Sequence, residues 1–413
     1  MTHAITRCRI CGGTHLQTVM SLGDQALTGV FPKTPDQAVT TGPVDLVRCA
    51  AADSCGLVQL RQSYDLSEMY GMNYGYRSGL NASMVRHLQA KVEKILGLGL
   101  LQPGDRVIDI GSNDATTLRT YPADQYELVG VDPTGVKFAS YYPAHIRLIP
   151  DFFSAAAIQA SLPAKPAKVI TSFSMFYDLE DPVAFAREVA ATLHDEGIWV
   201  FEQSYLPAML RTNSFDTICH EHLEFYALRQ IHWIAGQAGL KVLDVEFNDI
   251  NGGSFSVTAA KATSAHVPNT AVLEQIAAEE AALGLGTDQA FADFKVRVQQ
   301  AQAALMDFLA QQKAQGRTVC GMGASTKGNV LLQYWGIGPD LLTSIAEVNA
   351  DKFGSYTPGS LIPIRAQQDV LASNPDYLLV LPWHFRNFFL NNPALKGRKL
   401  VFPLPVFEVV DVQ

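Results

Sequence analysis

A short apolar strand that runs into a single glycine constrains this chain more than any other feature. Residues 107–110 are apolar apart from Asp109 and lead into a turn at Gly111, and a second apolar strand, 129–131, ends at Asp132, 21 positions after that glycine. In an open parallel sheet, ligands bind beyond the carboxyl ends of the strands, and an acidic residue after the second strand can accept hydrogen bonds from ribose hydroxyls. The pattern predicts an α/β fold with a doubly wound sheet and a cofactor that contains adenosine.

The composition of this turn separates two kinds of adenosine cofactor. A nicotinamide dinucleotide requires G-x-G-x-x-G, because its pyrophosphate needs close approach of the backbone at several points. Here only Gly111 is present, and Ser-Asn-Asp-Ala follows it. A polar, partly acidic turn suits a cofactor without phosphate that carries an ammonium and a sulfonium, so we predict S-adenosylmethionine and methyl transfer. The alternative is an ordinary turn without a ligand.

Eight residues around this turn are predicted to contact the cofactor. Asp109 and Asp114 are expected to face its cationic methionine end. The full set is Asp109, Gly111, Asn113, Asp114, Asp132, Pro133, Asp151 and Phe152.

Four of the six cysteines lie in the first 55 residues, as the pairs Cys8–Cys11 and Cys49–Cys55. Clustered cysteines in a cytosolic chain indicate a metal more often than a disulfide. We predict a four-thiolate zinc site, with free buried cysteines as the alternative. Such a site is structural, because four thiolates leave no open position for a substrate.

Charge and length exclude several classes of protein. The chain has 413 residues and a net charge of −9, which argues against a general binder of nucleic acid or of membrane surfaces. No run approaches the ~18–20 apolar residues of a membrane span, and the start lacks the apolar core of a signal peptide. These observations predict a soluble cytoplasmic protein with neither a nucleic-acid nor a membrane partner.

Hydrophobic periodicity predicts the order of the domains. An amphipathic helix over 79–98 precedes strands at 106–110, 127–131, 168–173 and 197–202 and a helix at 182–193, an alternation typical of a parallel sheet. The predicted units are a zinc-binding module (1–75), a methyltransferase domain (76–268), a helical connection (269–315) and a second Rossmann-like α/β domain (316–413).

The second α/β domain begins with a strand that enters a glycine-rich turn at Gly321 and Gly323. The helix that follows, near Lys327, offers free N–H groups to an anion. The spacing is not that of a Walker A loop, because Lys327 precedes its glycine and no hydroxyl follows. A tight turn with a solvated lysine is the alternative.

A cluster of titratable side chains follows the strand at 197–202. Residues 219–224 read Cys-His-Glu-His-Leu-Glu, and three accounts compete for them: a metal site, a satisfied structural cluster, or general acid–base catalysis. A metal needs three or four converging ligands, and no matching partner is evident. We favour acid–base catalysis, because methyl transfer to carbon requires removal of a proton next to a carbonyl and stabilisation of the enolate.

The chain resembles a family of sugar C-methyltransferases that act on nucleotide-linked 4-keto-deoxyhexoses. The resemblance covers nearly the whole length, and the ordered set of motifs is specific although no single motif is. The motifs are the N-terminal cysteine pairs with 55–60, 74–79, Gly111–Asp114, Cys219–Glu224, Asn251–Ser254, Lys327–Asn329, 358–363 and Leu381–Phe385.

The resemblance implies a reaction and roles for several residues. Zinc would lie in the N-terminal module and S-adenosylmethionine in the middle domain, while the C-terminal domain would help to bind a nucleotide-diphosphate-sugar. The proton beside the 4-keto group, usually at C3, would be removed, and the enediolate would attack the methyl group. His222 would be the base, with Glu221 as its orienting or shuttling partner. Tyr76 would donate a hydrogen bond near the sugar, and His220 completes the catalytic set. The implied substrate contacts are Tyr74, Cys219, Asn251, Ser254, Lys327, Asn329 and Trp383.

Two positions depart from the family pattern. Some members have tyrosine where this chain has Cys219, and some have histidine where it has Asp178, which leaves the proton relay and the methylated carbon open, C5 included. O- or N-methylation of a small metabolite is the nearest alternative. A nucleotide-sugar oxidoreductase and a cofactor-binding scaffold are further ones. The predicted assembly is a monomer or a small homo-oligomer.

Overall fold

The computed structural model describes residues 3–51, 53–65 and 76–413. Its strands form three sheets and a two-stranded ribbon, and the predicted α/β fold class is confirmed. Within the described residues, no helix is both long enough and apolar enough to cross a membrane.

The N-terminal module contains the two-stranded ribbon and a four-stranded antiparallel sheet, which includes one strand from far along the chain. Its own strands are β1 His3–Ala4, β2 Leu16–Ala26, β3 Thr41–Cys49, β4 Val58–Leu60 and β5 Gln62–Ser63. The strand Glu224–Phe225 pairs with β4, with Glu224 opposite Gln59. The segment that follows the titratable cluster is therefore part of the N-terminal sheet.

The middle domain is built on a seven-stranded sheet. The strands of this part of the chain are β6 Arg106–Ile110, β7 Glu127–Val131, β8 Ile146–Ile149, β9 Ala167–Phe173, β10 Leu193–Ser204, β11 Glu224–Phe225, β12 Leu240–Asn248 and β13 Ser254–Lys261. The order of the strands in this sheet is β12-β13-β10-β9-β6-β7-β8. Strands β6 to β10 run parallel, whereas β13 is antiparallel to both of its neighbours. The helices are α1 Ala82–Gly97, α2 Gly135–Phe138, α3 Ala155–Ser161, α4 Pro182–Thr192, α5 Leu206–Thr212 and α6 Leu228–Gln237.

Alternation along the buried strands places a separate core on each face of this sheet. Val107 packs with Val92 and Ile95 of α1 on one face, while its neighbour Ile108 belongs to the core on the other. Successive side chains of a strand point to opposite faces, so both faces are covered and any ligand must bind at an edge of the sheet. The carboxyl ends of the strands supply that edge.

Two helices precede the C-terminal domain, α7 Thr270–Ala282 and α8 Gln289–Ala314. The elements of the domain are β14 Val319–Met322, α9 Thr326–Trp335, β15 Ile345–Glu347, β16 Ile364–Ala366, α10 Gln367–Ala372, β17 Tyr377–Val380, α11 Arg386–Leu390, β18 Lys399–Phe402 and β19 Glu408–Asp411. Its strands form a six-stranded sheet with the order β16-β15-β14-β17-β18-β19. Strand β14 is parallel to both of its neighbours.

The predicted helical connection forms two helices, and the second contributes to a core. Phe294, Val298 and Leu305 of α8 are fully buried. They belong to the same core cluster as the C-terminal sheet and parts of β2 to β4. This helix therefore packs against the N-terminal module and the C-terminal domain.

Candidate active site

A cavity of about 250 Å³ lies at the carboxyl ends of β6, β7 and β9. Six of the eight predicted cofactor residues line it: Asp109, Gly111, Asn113, Asp132, Pro133 and Phe152. The other two, Asp114 and Asp151, do not.

The turn after β6 is shaped by backbone that favours glycine and asparagine. Gly111 has φ +71°, and a Cβ there would approach Met175 to 3.1 Å. Asn113 has φ 50°, and its backbone N–H donates to Asp132 Oδ2 at 2.8 Å. The acidic residue after β7 therefore holds the turn after β6, as well as facing the cavity.

The lining of the cavity is acidic. It contains the carboxyl groups of Asp109, Asp132, Asp178 and Glu180, and no lysine, arginine or histidine is among the described residues that form it. Such a lining suits a ligand with cationic groups and opposes a pyrophosphate. The donor set therefore fits S-adenosylmethionine better than a dinucleotide.

The two acidic residues predicted to face the methionine end of the cofactor lie in different surroundings. Asp109 is buried, accepts a hydrogen bond from Thr171 Oγ1 at 2.6 Å, and has its pKa raised by burial to about 7. Asp114 instead accepts from the backbone N–H of Gly79 at 3.1 Å and lies 3.6 Å from Arg77 Nε. Asp114 thus holds the segment before α1 over the cavity.

His222 does not line this cavity, but it contacts the chain neighbour of a residue that does. Its ring meets the edge of Tyr177 at a centroid distance of 4.6 Å, and the next residue, Asp178, lines the cavity. Its Nδ1 lies 2.8 Å from the carbonyl oxygen of Thr217, so Nδ1 carries the hydrogen and Nε2 keeps a lone pair. Burial lowers the pKa of His222 to about 4, and the imidazole is neutral at neutral pH.

A turn at 219–222 separates the two histidines of the cluster. The backbone N–H of His222 donates to the carbonyl of Cys219 at 3.1 Å. His220 is directed to the N-terminal module, where Nε2 lies 3.1 Å from the carbonyl of Gln25 and its ring contacts Tyr64 edge-on. The two rings therefore have different surroundings.

Glu221 also faces the N-terminal module. Thr28 Oγ1 lies 3.4 Å from its Oε2, and burial raises the pKa of the carboxyl. Cys219 is buried beside it, and burial raises the pKa of the thiol well above its usual value. The group that orients His222 is thus the Thr217 carbonyl, which no local sequence signal indicated.

A second polar cluster lies where the loop before β13 meets the C-terminal domain. Lys327 Nζ donates to the carbonyl oxygen of Asn251, and Trp383 Nε1 donates to Asp216 Oδ2 at 2.7 Å. His384 lies close by. No role was assigned to Asp216 or His384 from the sequence, although His384 lies within the Leu381–Phe385 motif.

The remaining predicted site residues that the structure describes have different surroundings. Tyr76 is 45% exposed and lines the cofactor cavity, whereas Tyr74 lies outside the described residues. Ser254 is buried and donates to the carbonyl of Ile250 at 2.9 Å. Asn329 is buried and donates to the carbonyl of Thr28 at 2.7 Å, which joins the C-terminal domain to the N-terminal module.

The four N-terminal cysteines converge as a metal site requires. Their sulfur atoms all lie within 4.8 Å of one another, with Cys8 and Cys55 3.5 Å apart and Cys11 and Cys49 3.6 Å apart. Zinc–sulfur bonds of about 2.3 Å in a tetrahedron place the sulfurs about 3.8 Å apart, so the donor set fits zinc. Across the described part of the chain, no other group of three or more metal-binding side chains converges in this way.

Comparisons with known proteins agree with this geometry. Three family models match consecutive parts of the chain: a zinc binding domain over 8–70, a methyltransferase domain over 80–245 and a C-methyltransferase C-terminal domain over 249–405. The chain is therefore an S-adenosylmethionine-dependent methyltransferase that carries a C-methyltransferase C-terminal domain, and its N-terminal cysteines form the predicted zinc site.

One known protein matches the chain over nearly its full length. The chain is 29% identical over 415 residues, covering 99% of its own length and 98% of the relative, to the C-methyltransferase NovU of Streptomyces niveus. Among solved structures, it is 14% identical, with a TM-score of 0.32, to an S-adenosylmethionine-dependent methyltransferase from Clostridium acetobutylicum, covering 42% of this chain and 90% of that one. The CcbJ methyltransferase from Streptomyces caelestis is 13% identical with the same TM-score, covering 41% of this chain and 88% of that one. Scores this low do not by themselves establish a relationship.

Proposed function

We propose that this chain methylates a carbon of a nucleotide-linked 4-keto-deoxy sugar, at C3. The observation that carries the proposal is His222, an imidazole fixed in one tautomer by Thr217. Its ring packs on Tyr177, the chain neighbour of Asp178 in the lining of the acidic cofactor cavity. Methyl transfer to oxygen or nitrogen needs little beyond alignment, whereas transfer to carbon needs a base of this kind.

In the proposed reaction, His222 Nε2 removes the proton from C3. The electron pair of the C–H bond moves toward the C4 carbonyl, giving an enediolate. S-adenosylmethionine, when bound, supplies an electrophilic methyl group to C3. The acidic lining, including Asp109 and Asp178, would hold the cationic donor in place before transfer.

We assign supporting roles to the other predicted residues. Tyr76, at the cavity wall, would donate a hydrogen bond to the sugar. Glu221, the predicted partner of His222, would take the proton from it onto its carboxylate, and His220 would anchor the turn through Gln25. The sugar nucleotide would contact Tyr74, Cys219, Asn251, Ser254, Lys327, Asn329 and Trp383.

We also propose limits for the domains that would carry these roles. The zinc-binding module would span 1–75, the methyltransferase domain 76–268 and the helical connection 269–315. The domain that helps to bind the nucleotide-sugar would span 316–413.

Mass spectrometry after incubation with a panel of nucleotide-linked keto-sugars tests the substrate. The expected result is a mass gain of one methyl group on a 4-keto-deoxy sugar, and NMR of the product then distinguishes C3 from C5. Methylation of an oxygen or nitrogen, or of no member of the panel, would contradict the proposal.

Hydrogen exchange tests the chemistry independently of methyl transfer. In deuterated water with the 4-keto sugar nucleotide and no methyl donor, the enzyme should incorporate deuterium at the carbon beside the ketone. Absence of exchange under conditions that support turnover would favour O- or N-methylation.

A further inference from the structure

The segment before α1 borders the cofactor cavity. Tyr76 and Ser78 line this cavity, and the side chain of Tyr76 is about half exposed. Its ring therefore lies where the cavity opens to solvent. Tyr76 thus stands where a second ligand could reach the cofactor.

One side chain, that of Asn113, holds the backbone of this segment at two points. Its Oδ1 accepts a hydrogen bond from the N–H of Ser78 at 3.0 Å, and its Nδ2 donates to the carbonyl of Tyr76 at 3.2 Å. The two contacts also fix which end of the amide carries the oxygen, because an N–H needs an acceptor and a carbonyl needs a donor. The amide of Asn113 thus engages the chain on both sides of Arg77.

The backbone of Asn113 is fixed in turn. Its N–H donates to Asp132 Oδ2 at 2.8 Å, and the other oxygen of that carboxylate accepts from the N–H of Thr134 at 2.7 Å. Asn113 is buried and has φ 50°, a conformation that asparagine adopts more readily than most residues. The two contacts to the segment at 76–78 therefore start from a rigid turn.

Neighbouring contacts hold the same segment from other directions. The N–H of Gly79 donates to Asp114 Oδ2 at 3.1 Å. Arg77 lies over the ring of Tyr141, 4.5 Å from its centroid, and donates to its hydroxyl. These contacts fix residues 77 and 79, and the Asn113 amide reaches Tyr76 itself.

We propose that Asn113 is a positioning residue for Tyr76, in addition to its place in the lining of the cofactor cavity. This role rests on the proposed function, in which Tyr76 donates a hydrogen bond to the sugar. The direction of a tyrosine hydroxyl depends on the backbone that carries the ring, so a shift at the Tyr76 carbonyl moves the donor away from the sugar. Misalignment at a bound substrate lowers the rate even when every reacting group is present.

Deuterium exchange without a methyl donor separates this role from cofactor binding. The assay contains the 4-keto sugar nucleotide and no S-adenosylmethionine, so a side chain that serves the cofactor alone cannot change its rate. Asn113→Gly removes the amide and suits the positive φ, because glycine adopts that conformation readily. Asn374→Gly makes the same change at an exposed residue of the C-terminal domain with φ 53°, and it serves as the matched control.

We expect Asn113→Gly to exchange about tenfold more slowly than wild type, as when one hydrogen bond is lost, and Asn374→Gly to exchange at the wild-type rate. Tyr76→Phe should show a loss of similar size. The double variant should be no slower than Tyr76→Phe alone, because Asn113 acts through the hydroxyl that this variant lacks. An effect of Asn113 that does not pass through Tyr76 would instead multiply with that of Tyr76→Phe.

A second substitution covers the case in which Asn113→Gly fails to fold. Asn113→Asp keeps the acceptor for the N–H of Ser78 and loses the donor to the carbonyl of Tyr76, and it should show the same loss. Exchange at the wild-type rate by the Asn113 variant or by Tyr76→Phe, or losses that multiply in the double variant, would overturn the positioning role. Absence of exchange in the wild-type enzyme would instead refute the proposed function.

Discussion

The tautomer of His222 determines whether that residue can act as a base. The carbonyl of Thr217 takes the hydrogen of Nδ1, which leaves the lone pair of Nε2 for a substrate proton. Burial lowers the pKa of His222 to about 4, so the ring is unprotonated at neutral pH. The oxyanion that develops during deprotonation would raise the proton affinity of the ring as the proton arrives, because an opposite charge nearby favours the protonated form.

Replacement of His222 by alanine should abolish most of the methyl transfer. We expect a loss of about 10²–10⁴ in rate, the usual contribution of a positioned base. S-adenosylmethionine should bind within a few-fold of wild type, because His222 does not line the cavity. Transfer of a labelled methyl group and calorimetric titration of the cofactor measure the two quantities. The exposed His145 provides a control, since His145→Ala should change neither. Turnover of His222→Ala near the wild-type rate would remove the base assignment.

The strand Glu224–Phe225 links the turn at 219–222 to the zinc-binding module. Arg9, between two of the cysteine ligands, lies 3.6 Å from Glu224 Oε1 and 3.4 Å from Glu180 Oε2, and it donates to the carbonyl of Leu60 at 2.6 Å. Burial raises the pKa of Glu224 well above its usual value, and Arg9 acts against this. The zinc loop therefore supplies the charge that balances a buried carboxyl group two residues after His222.

Removal of this charge should destabilise the protein. For Arg9→Met we expect a loss of about 3–5 kcal/mol in the free energy of unfolding, the usual result of leaving one partner of a buried ion pair alone. The double variant Arg9→Met with Glu224→Met should recover much of that loss, because no buried charge then remains unpaired. Chemical denaturation measures both, and the exposed Arg7 is the matched control: Arg7→Met should change stability by less than about 0.5 kcal/mol. An Arg9→Met variant as stable as wild type would show that the pair contributes nothing.

At the scale of the whole molecule, three modules meet around residues 214–222. The N-terminal module contacts this segment through Gln25 and Thr28, the middle domain through Tyr177, and the C-terminal domain through Trp383. The N-terminal module, which contains the zinc site, thus helps to hold one side of the turn at 219–222.

Loss of zinc should therefore impair catalysis as well as stability. Cys8→Ser should lower the zinc content and reduce the free energy of unfolding by roughly 2 kcal/mol or more, because a metal site with a missing ligand binds weakly. The rate of methyl transfer should fall more than the affinity for S-adenosylmethionine, because the predicted cofactor cavity lies in the middle domain. Metal analysis, thermal unfolding and activity assays follow the effect. Cys320→Ser, the same change outside the cluster, should retain zinc. Unchanged melting of a zinc-free Cys8→Ser variant would refute the structural role.

Local patterns predicted the elements of the parallel sheet well. Strands β6 and β7 were predicted at 106–110 and 127–131 and have those bounds, because each is a short apolar run ended by a turn. Strand β10 begins at Leu193, earlier than the predicted residue 197. The pairing of Glu224 with Gln59 could not be predicted, because it depends on a contact between residues distant in the chain.

The sequence by itself determined the class of cofactor and the metal site, because their groups are close together in the chain: an acidic turn after one strand, an acid after the next, and two pairs of cysteines. Only the tertiary structure decided the surroundings of the two histidines. His220 and His222 are two residues apart, and a turn rather than a strand directs His220 to the carbonyl of Gln25 and His222 to the ring of Tyr177. Which ring meets which surface depends on how the three modules pack, and a local pattern does not contain that information.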